Sequence, residues 1–115
     1  MTIETCPFCD SRAASVVAEN DLAFAIRDKF PVMELHTLVI PRRHVIDYFE
    51  LSEDELHAIH SLLRECRSGI CGLDARVGGF NVGANVGRAA GQKIPHVHIH
   101  LIPRRSGDIP PPPAR

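Results

Sequence analysis

The sequence lacks an excess of either charge: 13 Lys and Arg stand against 14 Asp and Glu, giving a formal net charge of −1. Nonspecific binding to a nucleic-acid backbone rests on a surplus of Lys and Arg, so the balance argues against that class and leaves open only a local basic pocket. Also missing is any apolar run that approaches membrane-spanning length. The first residues, Met1-Thr2-Ile3-Glu4-Thr5, hold neither the basic start nor the apolar stretch of a secretory signal. The expectation is a cytoplasmic protein with no membrane and no nucleic-acid partner. No internal repeat is visible. A 44% hydrophobic content argues against disorder, and 115 residues suffice for one domain that folds without disulfide help.

What the chain has in surplus is histidine: seven residues, more than a core of this size needs. Their meaning depends on the elements that carry them. Ala14–Ala18 and Leu22–Ile26 read as strands joined through Glu19-Asn20-Asp21, whose polar residues suit a hairpin turn, and His36–Ile40 reads as a third strand ended by Pro41. Ser52-Glu53-Asp54-Glu55 has the pattern of a capping box. The apolar residues that follow, Leu56, Ile59, Leu62, Leu63, Cys66 and Ile70, keep helical spacing, with Gly69 and Gly72 expected to stop the helix. Two further strands, Phe80–Val86 and His96–Ile102, flank a glycine-rich connection. This order predicts an α+β domain over residues 1–104, an antiparallel β-sheet with one long helix packed on a face. Residues 105–115, with the run Pro110–Pro113, form a Pro-rich C-terminal tail that favours extended conformation.

His96-Val97-His98-Ile99-His100-Leu101-Ile102 alternates strictly, which puts three imidazoles on one face of a strand. Grouped imidazoles repel when protonated and need partners when buried, so this group reads as functional, whereas His57 and His60 on the amphipathic helix read as structural. Three histidines can hold a catalytic zinc. Alternatively, one can attack phosphorus while its neighbours bind phosphate oxygens. The preceding stretch favours phosphate: Asn81, Gly83, Asn85, Gly87, Gly91 and Gln92 offer backbone N–H groups and neutral amides to an anion.

Cys6-Pro7-Phe8-Cys9 is a second constellation, because a CxxC turn brings two thiolates to one tetrahedral metal. No long helix follows it, which disfavours a thioredoxin-like role. Two more ligands would complete a structural zinc site, and the histidines supply candidates. Cys66 and Cys71 lack that spacing and read as structural thiols.

Taken together, the residues resemble the histidine-triad (HIT) superfamily, whose signature is His-φ-His-φ-His-φ-φ with φ apolar, met by His96 to Ile102. Leu22-Ala23-Phe24-Ala25-Ile26-Arg27-Asp28 resembles the family's first nucleoside-contacting strand. His36-Thr37-Leu38-Val39-Ile40-Pro41-Arg42-Arg43-His44 is similar to its H-x-L-V-x-P-[KR]-x-H segment, and Asn81–Gly87 followed by Ala90-Gly91-Gln92 is similar to its phosphate loop. The resemblance implies that His98 is the nucleophile and forms a covalent nucleotidyl-histidine intermediate. It implies that His100 and His36 contact phosphate oxygens, that Gln92 bonds near the scissile linkage, that Asn85 helps position phosphate or ribose, and that Gly91 belongs to the substrate-binding loop. Asp28 would accept ribose hydroxyls, with Phe24 and Ile26 forming either a wall for the base or part of the core. Members with an N-terminal CxxC bind structural Zn2+ through residues matching Cys6, Cys9, His44 and His96.

The implied activity is that of a hydrolase or transferase at the α-phosphate of purine nucleotide derivatives, dinucleoside polyphosphates or nucleoside phosphoramidates, in a homodimer. A nucleotide-binding regulatory module with little turnover is the alternative, and a zinc enzyme that uses the triad as ligands is another. Two departures stand out. Leu35 occupies the place of a family glycine, and Lys93 that of a Ser or Thr; a lysine facing the site would favour a leaving group that departs as a phosphate anion.

Overall fold

A computed structural model of the chain describes residues 5–9 and 15–109. Ala14 and the prolines at 110–113 lie outside the described residues. The elements are β1 (Val16–Glu19), β2 (Ala23–Arg27), β3 (Thr37–Pro41), α1 (Glu53–Leu73), β4 (Val77–Gly83) and β5 (Ile99–Arg105). The strands form a single antiparallel sheet in the order β1-β2-β3-β5-β4, with α1 on one face. This is the α+β architecture expected.

Alternation sorts the sheet's side chains between two cores. Ala23, Ala25, Val39, Ile99 and Leu101 meet Ile59, Leu62, Cys66 and Ile70 of the helix. On the other face Phe24, Ile26, Leu38 and Ile40 lie under Cys6 and Phe8 of the N-terminal segment. Burial on both faces is why β2 and β3 read as almost unbroken apolar runs. The first hairpin turns on Asn20, whose Oδ1 accepts from the backbone N–H of Leu22 and Ala23 while its Nδ2 donates to the Ala58 carbonyl of α1.

The capping box at Ser52 and Glu55 forms in both directions. The helix does not stop at its glycines. It passes through Gly69 and Gly72 to Leu73, where the Asp74 N–H closes on the Ile70 carbonyl. A glycine in a helix costs about 1 kcal/mol against alanine, whereas burying Ile70 completely contributes about 1.5–3 kcal/mol, so packing outweighs propensity. Of the two cysteines on this helix, Cys66 is buried in the stripe and Cys71 is exposed.

β4 starts at Val77, earlier than the apolar pattern suggested, and leaves the ladder after Gly83. β5 begins only at Ile99, so His96 to His98 precede the ladder, and it ends at Arg105, beyond the expected domain boundary. Arg105 there bonds Asp74, as does Arg76. The two guanidiniums, Arg76 foremost, hold the Asp74 carboxyl well below the usual carboxylate range. Among the described residues no helix is long and apolar enough to cross a membrane.

Candidate active site and metal centre

The sheet face opposite the helix carries two groups of functional side chains. At its N-terminal corner the turn at residues 6–9 delivers Cys6 and Cys9 against His44, which follows β3, and His96, which precedes β5. One donor atom from each lies within 4.8 Å of all the others. Cys6 Sγ is 3.4 Å and Cys9 Sγ 3.6 Å from His96 Nδ1, and Cys9 Sγ is 3.1 Å from His44 Nδ1. A tetrahedral zinc, with Zn–S near 2.3 Å and Zn–N near 2.0–2.1 Å, sets S···N edges of about 3.6 Å, so the spacing fits the ion.

Proton placement fits it too. His96 is fully buried, and its Nε2 lies 2.7 Å from the Pro41 carbonyl, which can only accept; Nε2 therefore carries the proton and Nδ1 presents its lone pair to the sulfurs. Burial, with Cys6 as neighbour, pushes the Cys9 thiol up to about 11, a crowding of sulfur that a divalent cation relieves. These four residues would hold the metal and pin the N-terminal segment to the sheet.

The second group surrounds a cavity of about 350 Å³ whose lining includes Phe8, Asp28, Phe30, Val32, His36, Leu38, Asn85, Gly91, Lys93, Ile94, His98 and His100. His98 and His100 extend side by side, their ring centroids 5.2 Å apart, and Phe8 meets the His98 ring edge-on at 5.2 Å. His98 Nδ1 lies 2.8 Å from the His96 carbonyl. That oxygen fixes the proton on Nδ1 and leaves the Nε2 lone pair free, the state an attacking imidazole needs.

His36 takes a place different from the phosphate contact anticipated for it. Only 2% exposed, it accepts the Val32 N–H at Nδ1 (3.1 Å), while its Nε2 faces His100 Nδ1 at 2.9 Å and Asp28 Oδ2 at 3.5 Å. Both nitrogens are engaged within the protein, so it reaches a ligand through His100. The same bond explains why Asp28, His36 and His100, close enough to suggest a cation site, are better read as a hydrogen-bonded chain. A metal on His36 Nε2 would force a proton onto Nδ1, against the Val32 donor. Burial lowers the pKa of both His36 and His100 and keeps them neutral.

Gln92 also departs from expectation. Its Oε1 accepts from Gly87 N–H at 2.8 Å, and its Nε2 donates to the carbonyls of Ile46 (2.9 Å) and Ile94 (3.1 Å). Its amide braces the loop after β4 and borders a neighbouring cavity shared with Lys93. Gly91 belongs to that loop with φ +92°, and a Cβ there would sit 3.3 Å from Asn85 Nδ2. Glycine is therefore needed both for the backbone and for the room beside Asn85. Phe24 and Ile26 are buried in the core beneath and do not line the cavity. Pattern reading missed Phe8, Phe30, Val32, Leu38 and Ile94 as lining residues. Phe8 carried a signal, lying within the CxxC turn; Phe30 and Val32 lie on an irregular link whose path periodicity does not describe.

Residues 11–107 match the model of the HIT domain. The chain belongs to the HIT family. An uncharacterized HIT-like protein of Mycoplasma genitalium is 35% identical over 107 residues, 90% of this chain and 75% of the relative. A Mycobacterium tuberculosis relative named AP-4-A phosphorylase is 33% identical over 94 residues, 81% of this chain but 48% of its own length. Among solved structures, a Zn-bound histidine triad family protein from Mycobacterium smegmatis superposes with a TM-score of 0.82 at 29% identity, covering 93% of this chain and 80% of that one.

Proposed function

We propose that the chain is a hydrolase or transferase acting at the α-phosphate of purine nucleotide derivatives through a covalent nucleotidyl-histidine intermediate on His98. The observation that carries this reading is the fixed tautomer of His98, whose free Nε2 opens into a cavity beside a hydrogen-bond donor, His100. In the first step the Nε2 lone pair forms a bond to the α-phosphorus as the bond to the leaving group breaks, and the electron pair departs with that group. Water, or phosphate in a transferase, then displaces the imidazole and releases the nucleotide. Splitting one displacement into two lowers each barrier, and fixed donors stabilise charge on the non-bridging oxygens.

Asp28, with its side chain 18% exposed, is available to ribose hydroxyls, and Phe8, Phe30, Leu38 and Ile94 offer apolar walls to the base. Lys93 on the cavity lining favours substrates whose leaving group departs as a phosphate anion, which ranks polyphosphate-linked above phosphoramidate-linked nucleotides. The metal-site residues support one structural zinc per chain that takes no part in the displacement. A homodimer is supported by the place of β4 at the sheet edge, next to an apolar groove between Tyr48, Leu56, Leu63 and Val82.

The test is a panel of adenosine phosphoramidate, diadenosine tetraphosphate and ADP-type substrates, with products identified and His98→Ala as control. Turnover that vanishes with His98 supports the reading. A protein that holds AMP and releases no product from any of them is a binding module instead.

A further inference from the structure

The site face continues past His100. A groove of about 400 Å³ adjoins the cavity and shares Val32, His36, Asn85 and His100 with it, adding Asn81 and Ile102 on its far side. The β4 strand provides the room. In its register with β5, Gly83 stands opposite His100 and Gly79 opposite Arg104, and a Cβ added at either glycine meets no heavy atom within 4 Å.

Arg104 follows His98, His100 and Ile102 on the same side of the chain, roughly 13 Å beyond His100 along the strand. Its side chain leans back towards the site. Nε donates at 2.7 Å to Asn81 Oδ1, although Asn81 pairs with Ile102 in the ladder. That bond uses one N–H. The terminal nitrogens of the guanidinium have no other partner among the described residues. Because Arg104 holds the oxygen of the Asn81 amide, the end of that amide left for the groove is its N–H donor.

In-line displacement sends the leaving group away from the attacking Nε2 of His98. His98 lines the cavity but not the groove, which continues past His100 to Asn81 and Ile102. The groove is thus open space beside the attack site, on the side away from His98, where a departing group can lie.

We propose that this groove is the subsite for the departing half of the substrate, built for an anionic leaving group of two or more phosphates whose far end meets Arg104. The inference rests on the nucleotidyl-transfer reading above. As the bond from the α-phosphorus to its bridging oxygen breaks, the electron pair moves onto the departing phosphate chain, and the guanidinium offsets that charge without a proton transfer. A departing group without phosphates leaves Arg104 unused.

The test compares the wild-type protein with Arg104→Gln and Ile102→Glu on two substrates that share the adenylyl half. Diadenosine tetraphosphate has a long anionic departing half; adenosine 5′-phosphofluoridate loses only fluoride. Arg104→Gln is expected to lower kcat/KM for the tetraphosphate by roughly 10- to 100-fold, the range for one charge-assisted hydrogen bond, while the phosphofluoridate changes by less than about threefold. Ile102→Glu, which sets a carboxylate in the groove without touching His98, should show the same selectivity. Equal losses on both substrates, or no loss on either, overturn the subsite. If the wild-type protein releases AMP from neither substrate, the nucleotidyl-transfer reading falls and the subsite with it, an outcome distinguished by appearing before any substitution is made.

Discussion

His36 Nε2 lies 2.9 Å from His100 Nδ1, and the Val32 N–H behind His36 determines which nitrogen carries the proton. Since Nδ1 of His36 accepts from Val32, its proton sits on Nε2 and points to His100 Nδ1, which must then accept. The proton of neutral His100 is left on Nε2, facing the cavity. The chain of contacts converts a backbone donor into a donor for a phosphate oxygen. His36→Leu breaks it and leaves Val32 N–H and His100 Nδ1 without partners. A loss of about 1–3 kcal/mol in stability is expected from the unpaired groups. A purely structural role would end there. The positioning role requires in addition that the 15N spectrum of His100 change from one Nε2–H tautomer to a mixture; an unchanged spectrum would contradict it.

The same two imidazoles set a pH dependence. Burial lowers the pKa of His36 and His100 below the ordinary value of 6.5, although nearby Asp28 opposes the shift. Above about pH 6.5 both folded and unfolded chains hold them neutral, and they add nothing to the pH slope. As pH falls through the unfolded value, the unfolded chain binds protons that the folded one resists, so stability declines from there down to the folded pKa values. Urea midpoints between pH 7.5 and 5 should therefore drop for the wild-type protein. The drop should shrink in His36→Gln, and identical slopes in both proteins would rule out this source.

Why some of this was legible in the sequence and some was not follows from the range of the forces involved. The capping box at Ser52, the hairpin turn at Asn20 and the alternation of His98 with His100 are local, decided within four residues, and the sequence displays them. The CxxC turn at Cys6 and Cys9 is local too, whereas its partners His44 and His96 came from family resemblance. Gly69 and Gly72 misled because the burial of Ile70 against distant strands decides where α1 ends. The family resemblance implies a bond from Gln92 near the scissile linkage, but the carbonyls of Ile46 and Ile94 capture its amide. The backward lean of Arg104 depends on a glycine-lined neighbour strand that no pattern in its own segment reveals.

Zinc should matter to folding and not to the displacement itself. With Cys6, Cys9, His44 and His96 as ligands, the metal ties residues 6–9 to the ends of β3 and β5, and an ion that binds only the folded chain adds about 2.7 kcal/mol at a hundredfold excess over its Kd. The purified protein should carry one zinc per chain. Chelation, or the double change Cys6→Ser and Cys9→Ser, should abolish that content and lower the melting temperature. Metal that persists in the double variant at full stoichiometry would assign it to the triad.

Leu35 is the only non-glycine residue among those described with positive φ, at +71°. The turn that the family makes with glycine is thus kept here by a leucine, at a strain of about 1–3 kcal/mol. Its side chain repays part of this by packing against the helix-side core. Leu35→Gly removes the strain and the packing together, so the net change in unfolding free energy should stay within about 1 kcal/mol. A loss above about 2 kcal/mol in equilibrium urea unfolding would mean that the leucine's packing, not its backbone, governs the turn.

Lys93 lines the cavity with His98 and His100 and also borders the cavity beside Gln92. An ammonium at this rim stabilises charge that builds on a departing phosphate. It serves a departing amine poorly, because that group must gain a proton as it leaves and builds no negative charge for a fixed cation to offset. Lys93→Ala should accordingly reduce kcat/KM for diadenosine tetraphosphate by on the order of 10- to 1,000-fold and affect adenosine phosphoramidate less. The pattern differs from that expected at Arg104, which acts only on the far end of a long departing half. With ADP, whose departing group is a single phosphate, Lys93→Ala should still slow the reaction and Arg104→Gln should leave it nearly unchanged. Equal small losses on every substrate would show Lys93 to be a solvated loop residue, and the selectivity for polyphosphates would then have to come from the groove alone.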